Sequence, residues 1–242
     1  MRTIGNDLLT TRQNNFIASG TLDNGAAVIV NANGTVSTVV QTPVSAAEGN
    51  VGEDSTSSTA SYDFAACYDS TNKKVIAFLN RNDDLIGIVG TISGTTISFG
   101  SPFLVNGDPP GDINAVFIPP TETRNAKVAV VYRIVSGTQN IIACNICEVS
   151  GTSLSSGSTT YVTTTGRFPK AAYDSDNDMI GVIYRKSTNG YVEIIFANIV
   201  NTAISVPGTS QNILGQNVSS DAGKFFITYD TEQKRYVVIY FD

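Results

Sequence analysis

The chain has 242 residues, a formal net charge of −6, 41% hydrophobic and 15% charged residues, and no histidine. An acidic balance without any block of Lys or Arg excludes the electrostatic footprint of a nucleic-acid binder and argues against anionic membrane surfaces. The missing histidines remove the commonest general base and every Ser-His-Asp arrangement; Gly, Ser, Thr and Asn in place of charge suit short strands and tight turns.

In chain order, residues 1–15, "MRTIGNDLLTTRQNN", read as a polar arm without the apolar core of a secretory signal. Three cysteines are too few for a disulfide framework. Synthesis in a reducing cytoplasm is therefore expected. No apolar run approaches the roughly 18 to 20 residues of a membrane helix, so no membrane insertion is expected. "FIASGT" (16–21) reads as a strand, and "AAVIVNANGTVSTVV" (26–40) as a hairpin turning at Asn33-Gly34. The longest polar loop follows at 45–61.

From residue 61 a unit recurs. "FAACYDSTNKKVIAFLNR" (64–81), "KAAYDSDNDMIGVIYR" (170–185) and "FFITYDTEQKRYVVIYFD" (225–242) each join an apolar strand ending in Tyr-Asp to a polar turn and a Val/Ile-rich strand. A divergent copy, "AVFIPPTETRNAKVAVVYR" (115–133), has Pro119-Pro120 where the others have Tyr-Asp. Arg81, Arg133 and Arg185 close the second strand at a spacing of 52 residues (133 − 81 and 185 − 133). "IGIVGTISGTTISFG" (86–100), "IIACNICEVSGTSLSSG" (141–157) and "IIFANIVNTAISVPG" (194–208) supply the second hairpin of each unit. Four antiparallel strands recurring about every 50 to 56 residues are the signature of a β-propeller blade.

The expected fold is all-β: a propeller of about four, alternatively five, four-stranded antiparallel blades, closed by pairing N- and C-terminal strands so that no edge stays free. The units run at about 16–45 (partial), 61–106, 112–166, 167–220 and 221–242 (partial), and residues 16–242 make one propeller domain after the arm.

Asp174, Asp176 and Asp178 alternate as in the first half of a calcium loop, but Met179 and Arg185 stand where that loop needs Gly and Glu. The sister turns keep only the first acid. Asp69, Asp174 and Asp230 are therefore expected to make Asx-turns through backbone N–H groups, with no metal bound. Arg81, Arg133 and Arg185 offer an interface or a ligand-binding set, since guanidinium forks bind oxyanions bidentately; the alternative is strand ends paired with neighbouring carboxylates. Cys144 and Cys147 lie three apart in a strand pattern and so face opposite ways, which suits buried apolar residues better than zinc or redox chemistry. Asn217-Val-Ser219 matches a glycosylation acceptor and is expected to stay unmodified. No phosphate-binding Gly-rich loop and no distinct carboxylate pair is present. No cofactor and no catalytic residue is expected.

"YDSTNKKVIAF…GIVGTISGTTISFGSPFLV" (68–105) resembles the repeat of virion proteins of tailed phages, especially marine and cyanobacterial ones. "FIASGTLDNGAAVIVNANGTVSTV" (16–39) is similar to the segment preceding such repeats. The likeness fades at 112–166, which marks that unit as the specialised one. The resemblance implies a non-enzymatic propeller on the tail, fibre or head of a virion, made in the host cytoplasm, present in multiple copies and anchored by other virion proteins. A lectin-like propeller that recognises a host surface glycan is the alternative.

Overall fold

The computed structural model describes residues 3–4, 14–15, 17–22, 28–38, 63–94, 96–137, 139–217 and 225–240. The loop at 45–61, most of the arm at 1–15, and Ser219 of the Asn217 acceptor lie outside them. The chain divides into two compact units, Met1–Ala46 and Ala47–Asp242. The described residues contain strands and turns and no helix, hence no helix long and apolar enough to cross a membrane.

In the first unit β1 (Thr3–Ile4) pairs antiparallel with β2 (Asn14–Asn15). β3 (Ile17–Ala18), β4 (Val28–Val30) and β5 (Thr35–Thr38) form a sheet in the order β3-β5-β4. The β4–β5 hairpin turns through Asn33-Gly34: Gly34 takes a φ of 78°, and the Asn33 side chain accepts the Thr35 N–H at 3.1 Å.

The second unit is built sheet by sheet from the repeat. The first sheet holds β6 (Phe64–Asp69), β7 (Lys74–Arg81), β8 (Asp84–Ser93), β9 (Thr96–Phe99) and β10 (Phe103–Asn106). The second holds β11 (Pro110–Ile118), β12 (Lys127–Ser136), β13 (Gln139–Ser150), β14 (Ser153–Ser156) and β15 (Thr160–Thr163). The third holds β16 (Gly166–Asp174), β17 (Met179–Lys186), β18 (Tyr191–Val200), β19 (Ala203–Ser205) and β20 (Gln211–Asn217). Each is an antiparallel meander of three long strands whose third strand pairs with two short ones. The expected four strands thus become five, because the fourth is broken. Gly100-Ser101-Pro102, Gly157-Ser158-Thr159 and Val206–Ser210 interrupt it, and Pro102 and Pro207 have no N–H for the ladder.

The last repeat forms only β21 (Phe225–Asp230) and β22 (Arg235–Tyr240). These two strands pair with each other and, among the described residues, with no third strand. The single sheet expected from both chain ends is therefore not found as a paired sheet: the N-terminal strands form their own.

Consecutive sheets of this unit stack face to face, with the first strands β6, β11, β16 and β21 side by side in that order. Three cores fill the gaps. Ile76, Phe78 and Leu85 meet Val128, Val130, Tyr132 and Leu154 between the first and second sheets. Ala129, Val131, Ile142 and Cys144 meet Ile180, Val182, Tyr184 and Ile195 between the second and third. Ile183, Val192 and Ile194 meet Phe225 and Ile227 between the third and fourth. Successive β12 residues therefore enter different cores, and a strand buried on both faces reads as an unbroken apolar run instead of an alternation.

Close approaches hold the stack. An added Cβ on Gly100 would come within 2.1 Å of the Thr152 carbonyl oxygen, and one on Gly157 within 1.8 Å of the Thr202 carbonyl oxygen. The turn between the third and fourth strands of each sheet thus rests on the glycine of the sheet before. In the third sheet the register puts Pro207 at this point, since Ala203 opposes Val200 as Ser153 opposes Ser150. The first strands are also tied across sheets: Phe168 N–H donates to Asp112 Oδ2 at 3.3 Å and Ala171 N–H to Asn114 Oδ1 at 2.9 Å. Asp112 and Phe168 sit in bulges with φ of 51° and 55°.

Candidate functional site: polar clefts between stacked sheets

The turns between first and second strands share one device. Asp69 Oδ1 accepts the N–H groups of Thr71 and Asn72, both at 2.9 Å. Asp174 Oδ1 accepts those of Asp176 and Asn177 at 2.9 and 3.0 Å, and Asp230 Oδ1 those of Glu232 and Gln233 at 3.0 Å. Each turn ends on a residue in the left-handed region: Lys73, Asp178 and Lys234 at φ 55°, 54° and 52°. Burial works against ionisation of Asp174, but the Asn177 side chain and N–H and the other donors outweigh it and hold the carboxyl below its ordinary value.

The other two acids of the run have separate partners. Asp176 accepts the Tyr229 hydroxyl at 2.8 Å and lies 3.0 Å from Lys234 Nζ, both on the fourth sheet. Asp178 reaches the second sheet, where Arg124 Nη1 donates to its two oxygens at 2.6 and 2.5 Å. With three carboxylates held by three sets of partners, Asp174, Asp176 and Asp178 do not converge on one point. Among the described residues no group of three His, Cys, Asp or Glu is placed to hold a metal ion.

Arg124 belongs to the divergent unit. In place of a four-residue Asx-turn, residues 119–126 make a longer connection, closed by Thr121 N–H donating to the Arg124 carbonyl at 2.9 Å. Ile118 opposes Lys127 as Asp69 opposes Lys74, so an apolar side chain stands where the turn's acceptor would be, and Pro120, two residues on, has no N–H to donate. The wider connection opens a cleft of about 360 Å³ between the second and third sheets, lined by Thr121, Thr123, Arg124, Lys127, Asp178 and Asn201 among others. A second cleft of about 400 Å³ opens on the same rim between the first and second sheets, with Thr71, Asn72, Pro120, Ser150 and Ser155 in its walls. Asn125 and Glu148 line both.

Two ion pairs set the electrostatics. Arg124 pairs with Asp178, and also donates to the Pro119 carbonyl at 3.1 Å and the Tyr173 hydroxyl at 3.4 Å. Lys127 pairs with Glu148 on β13. The cations are the buried members: the Arg124 and Lys127 side chains are 11% and 4% exposed, against 43% and 40% for Asp178 and Glu148. Burial disfavours the Asp178 carboxylate, yet the Arg124 and Tyr173 donors keep its carboxyl below the ordinary range.

The arginines singled out by spacing lie elsewhere. Arg81 ends β7, whereas Arg133 and Arg185 lie inside β12 and β17, short of Ser136 and Lys186. All three are in different sheets, toward the end away from the clefts, and from Lys127 to Arg133 is about 20 Å of strand. Arg133 Nε donates to Asp112 at 2.5 Å and its Nη1 to Asn140 at 3.2 Å, both in its own sheet. Cys144 and Cys147 are buried in different cores, on opposite faces of β13. Burial pushes the Cys67 and Cys147 thiols up to about 12 and raises Cys144 as well, which leaves them unreactive.

Sequence reasoning missed Arg124, Lys127, Glu148 and the outward role of Asp178. The loss of Tyr-Asp at Pro119-Pro120 was the available signal. It also missed the buried Glu193, which accepts from Lys186 Nζ at 2.8 Å, the Tyr184 hydroxyl at 3.0 Å and the Ser210 hydroxyl at 2.5 Å. That carboxylate is fully engaged inside its own sheet, and its role is to hold β20 onto β18.

No family model and no curated protein matches the chain. Two solved structures of a mutant Aleuria aurantia lectin are similar to it, one in complex with alpha-methyl-L-fucoside and one with Fucalpha1-6GlcNAc. Each has a TM-score of 0.47 and 15% sequence identity over 74% of this chain. The chain spans about half the length of those lectin chains, 53% and 54%.

Proposed function

We propose that the chain is a non-catalytic glycan-binding module whose repeated sheets are propeller blades, displayed on a phage particle. The observation that carries glycan binding is the chemistry of the two clefts. Fixed acceptors (Asp178, Glu148) stand beside Thr, Asn and Ser groups, a set that matches the alternating donors and acceptors of neighbouring sugar hydroxyls. The non-catalytic reading is supported at Asp178, whose carboxyl burial alone would raise but which Arg124 and Tyr173 hold below its ordinary range, the wrong direction for a general acid.

The blade reading is supported by the recurring meander and by the side-by-side first strands. In this reading there are four blades, the last represented among the described residues by β21 and β22. The virion setting is supported by the resemblance carried by residues 68–105.

The test has two arms. On a glycan array the purified chain gives signal, and Arg124→Ala lowers it at least tenfold while thermal melting reports whether the variant is folded. An array blank for the folded chain would overturn glycan recognition. Mass spectrometry of purified particles finds the chain as a virion component; its absence there removes the virion setting alone.

A further inference from the structure

We infer that the ligand is an extended, neutral glycan chain lying across both clefts, and neither a single sugar nor an acidic polymer. This rests on the glycan reading above and specifies its substrate.

Continuity comes first. The two clefts are neighbours, divided by Asn125 and Glu148, which line both, so a chain crossing that ridge would run from Thr71-Asn72 on the first sheet, over the second, to Asp178 and Asn201 on the third. Each cleft alone, at about 360 and 400 Å³, sits at the small end of ligand sites, which run from about 300 to 1,000 Å³. A ligand confined to one cleft would leave half of the polar rim unused.

Charge decides the class. The groove carries two cations and two anions, all in ion pairs, so it has no excess positive charge to offer a uronate or a sulfate. The more exposed partner in both pairs is the carboxylate, at 43% and 40% against 11% and 4% for the cations. An approaching chain therefore meets acceptor oxygens, which suit hydroxyl donors and repel an acidic polymer. Among the described residues no aromatic side chain lines either cleft. A single sugar has no stacking platform here, and affinity must accumulate along the chain.

The experiment is solution calorimetry with free oligosaccharide ladders, from a single sugar to a hexamer, cut from a neutral glucan, a neutral mannan and an acidic uronan, at low and high salt. The expected result is affinity for a neutral ladder that rises at least tenfold from its shortest to its longest member and is unchanged by salt. A single sugar binding as tightly as the hexamer would overturn the chain-spanning site while leaving glycan recognition in place. Preference for the uronan, lost at high salt, would overturn neutrality. Failure of every ladder would remove the glycan reading and this inference with it.

Discussion

At the scale of single residues, the small side chains set the spacing of the stack. Gly157 is glycine because the Thr202 carbonyl occupies the place of its Cβ, 1.8 Å away. Backbone cannot swing aside as a flexible side chain would, so Gly157→Ala should force the second and third sheets apart. The expected cost is about 1–3 kcal/mol, read from urea unfolding with an unchanged m-value. A loss of less than about 0.5 kcal/mol, the range of an ordinary surface change, would show that the contact is soft. The glycine ending "ISFG" and "LSSG" was visible as a repeated letter. Its reason was not, because the atom that forbids a Cβ belongs to the next sheet.

Among the elements, the hairpins between first and second strands are tied by local chemistry. Asp174 takes two backbone N–H groups and the Asn177 amide, at 2.9, 3.0 and 2.9 Å. Its folded carboxyl titrates below the unfolded one, against the pull of burial. Its contribution is therefore fully present above the unfolded pKa, near 4, and is lost as pH falls through the lower folded value. Asp174→Ala is expected to cost about 2 kcal/mol near neutral pH, and the gap to wild type should narrow in urea titrations near pH 3. A gap that stays constant between the two conditions would place the turn's stability elsewhere. The same hairpins also reach outward. Arg124 and Asp178 join two sheets from positions 54 residues apart, and the cleft exists because the second sheet abandons the Asx-turn.

For the whole molecule, the question is what completes the last sheet. The second and third sheets are buried on both faces, whereas the fourth shows Phe226 and Ile239 at 54% exposure on its outer side. A two-stranded sheet with an apolar outer face is marginal by itself, and the repeat has room for two more strands. If that outer face is covered in solution, Phe226→Ala should cost about 3–5 kcal/mol in urea unfolding, the range of a buried aromatic. A cost under about 0.5 kcal/mol, as for an exposed side chain, would mean that the face stays in water.

What the sequence determined by itself is the hairpin, the turn and the repeat. Tyr-Asp with its polar turn, the Ser-Gly and Asn-Thr corners, and Cys144 and Cys147 on opposite faces are legible because each depends on atoms a few residues apart, or on the two-residue period of a strand. What only the tertiary structure decided is which faces meet and what opens between them. Arg124 finds Asp178, Lys127 finds Glu148, and Arg133 turns to Asp112 inside its own sheet because stacking brings distant segments into contact; one chain read in order carries no measure of that proximity.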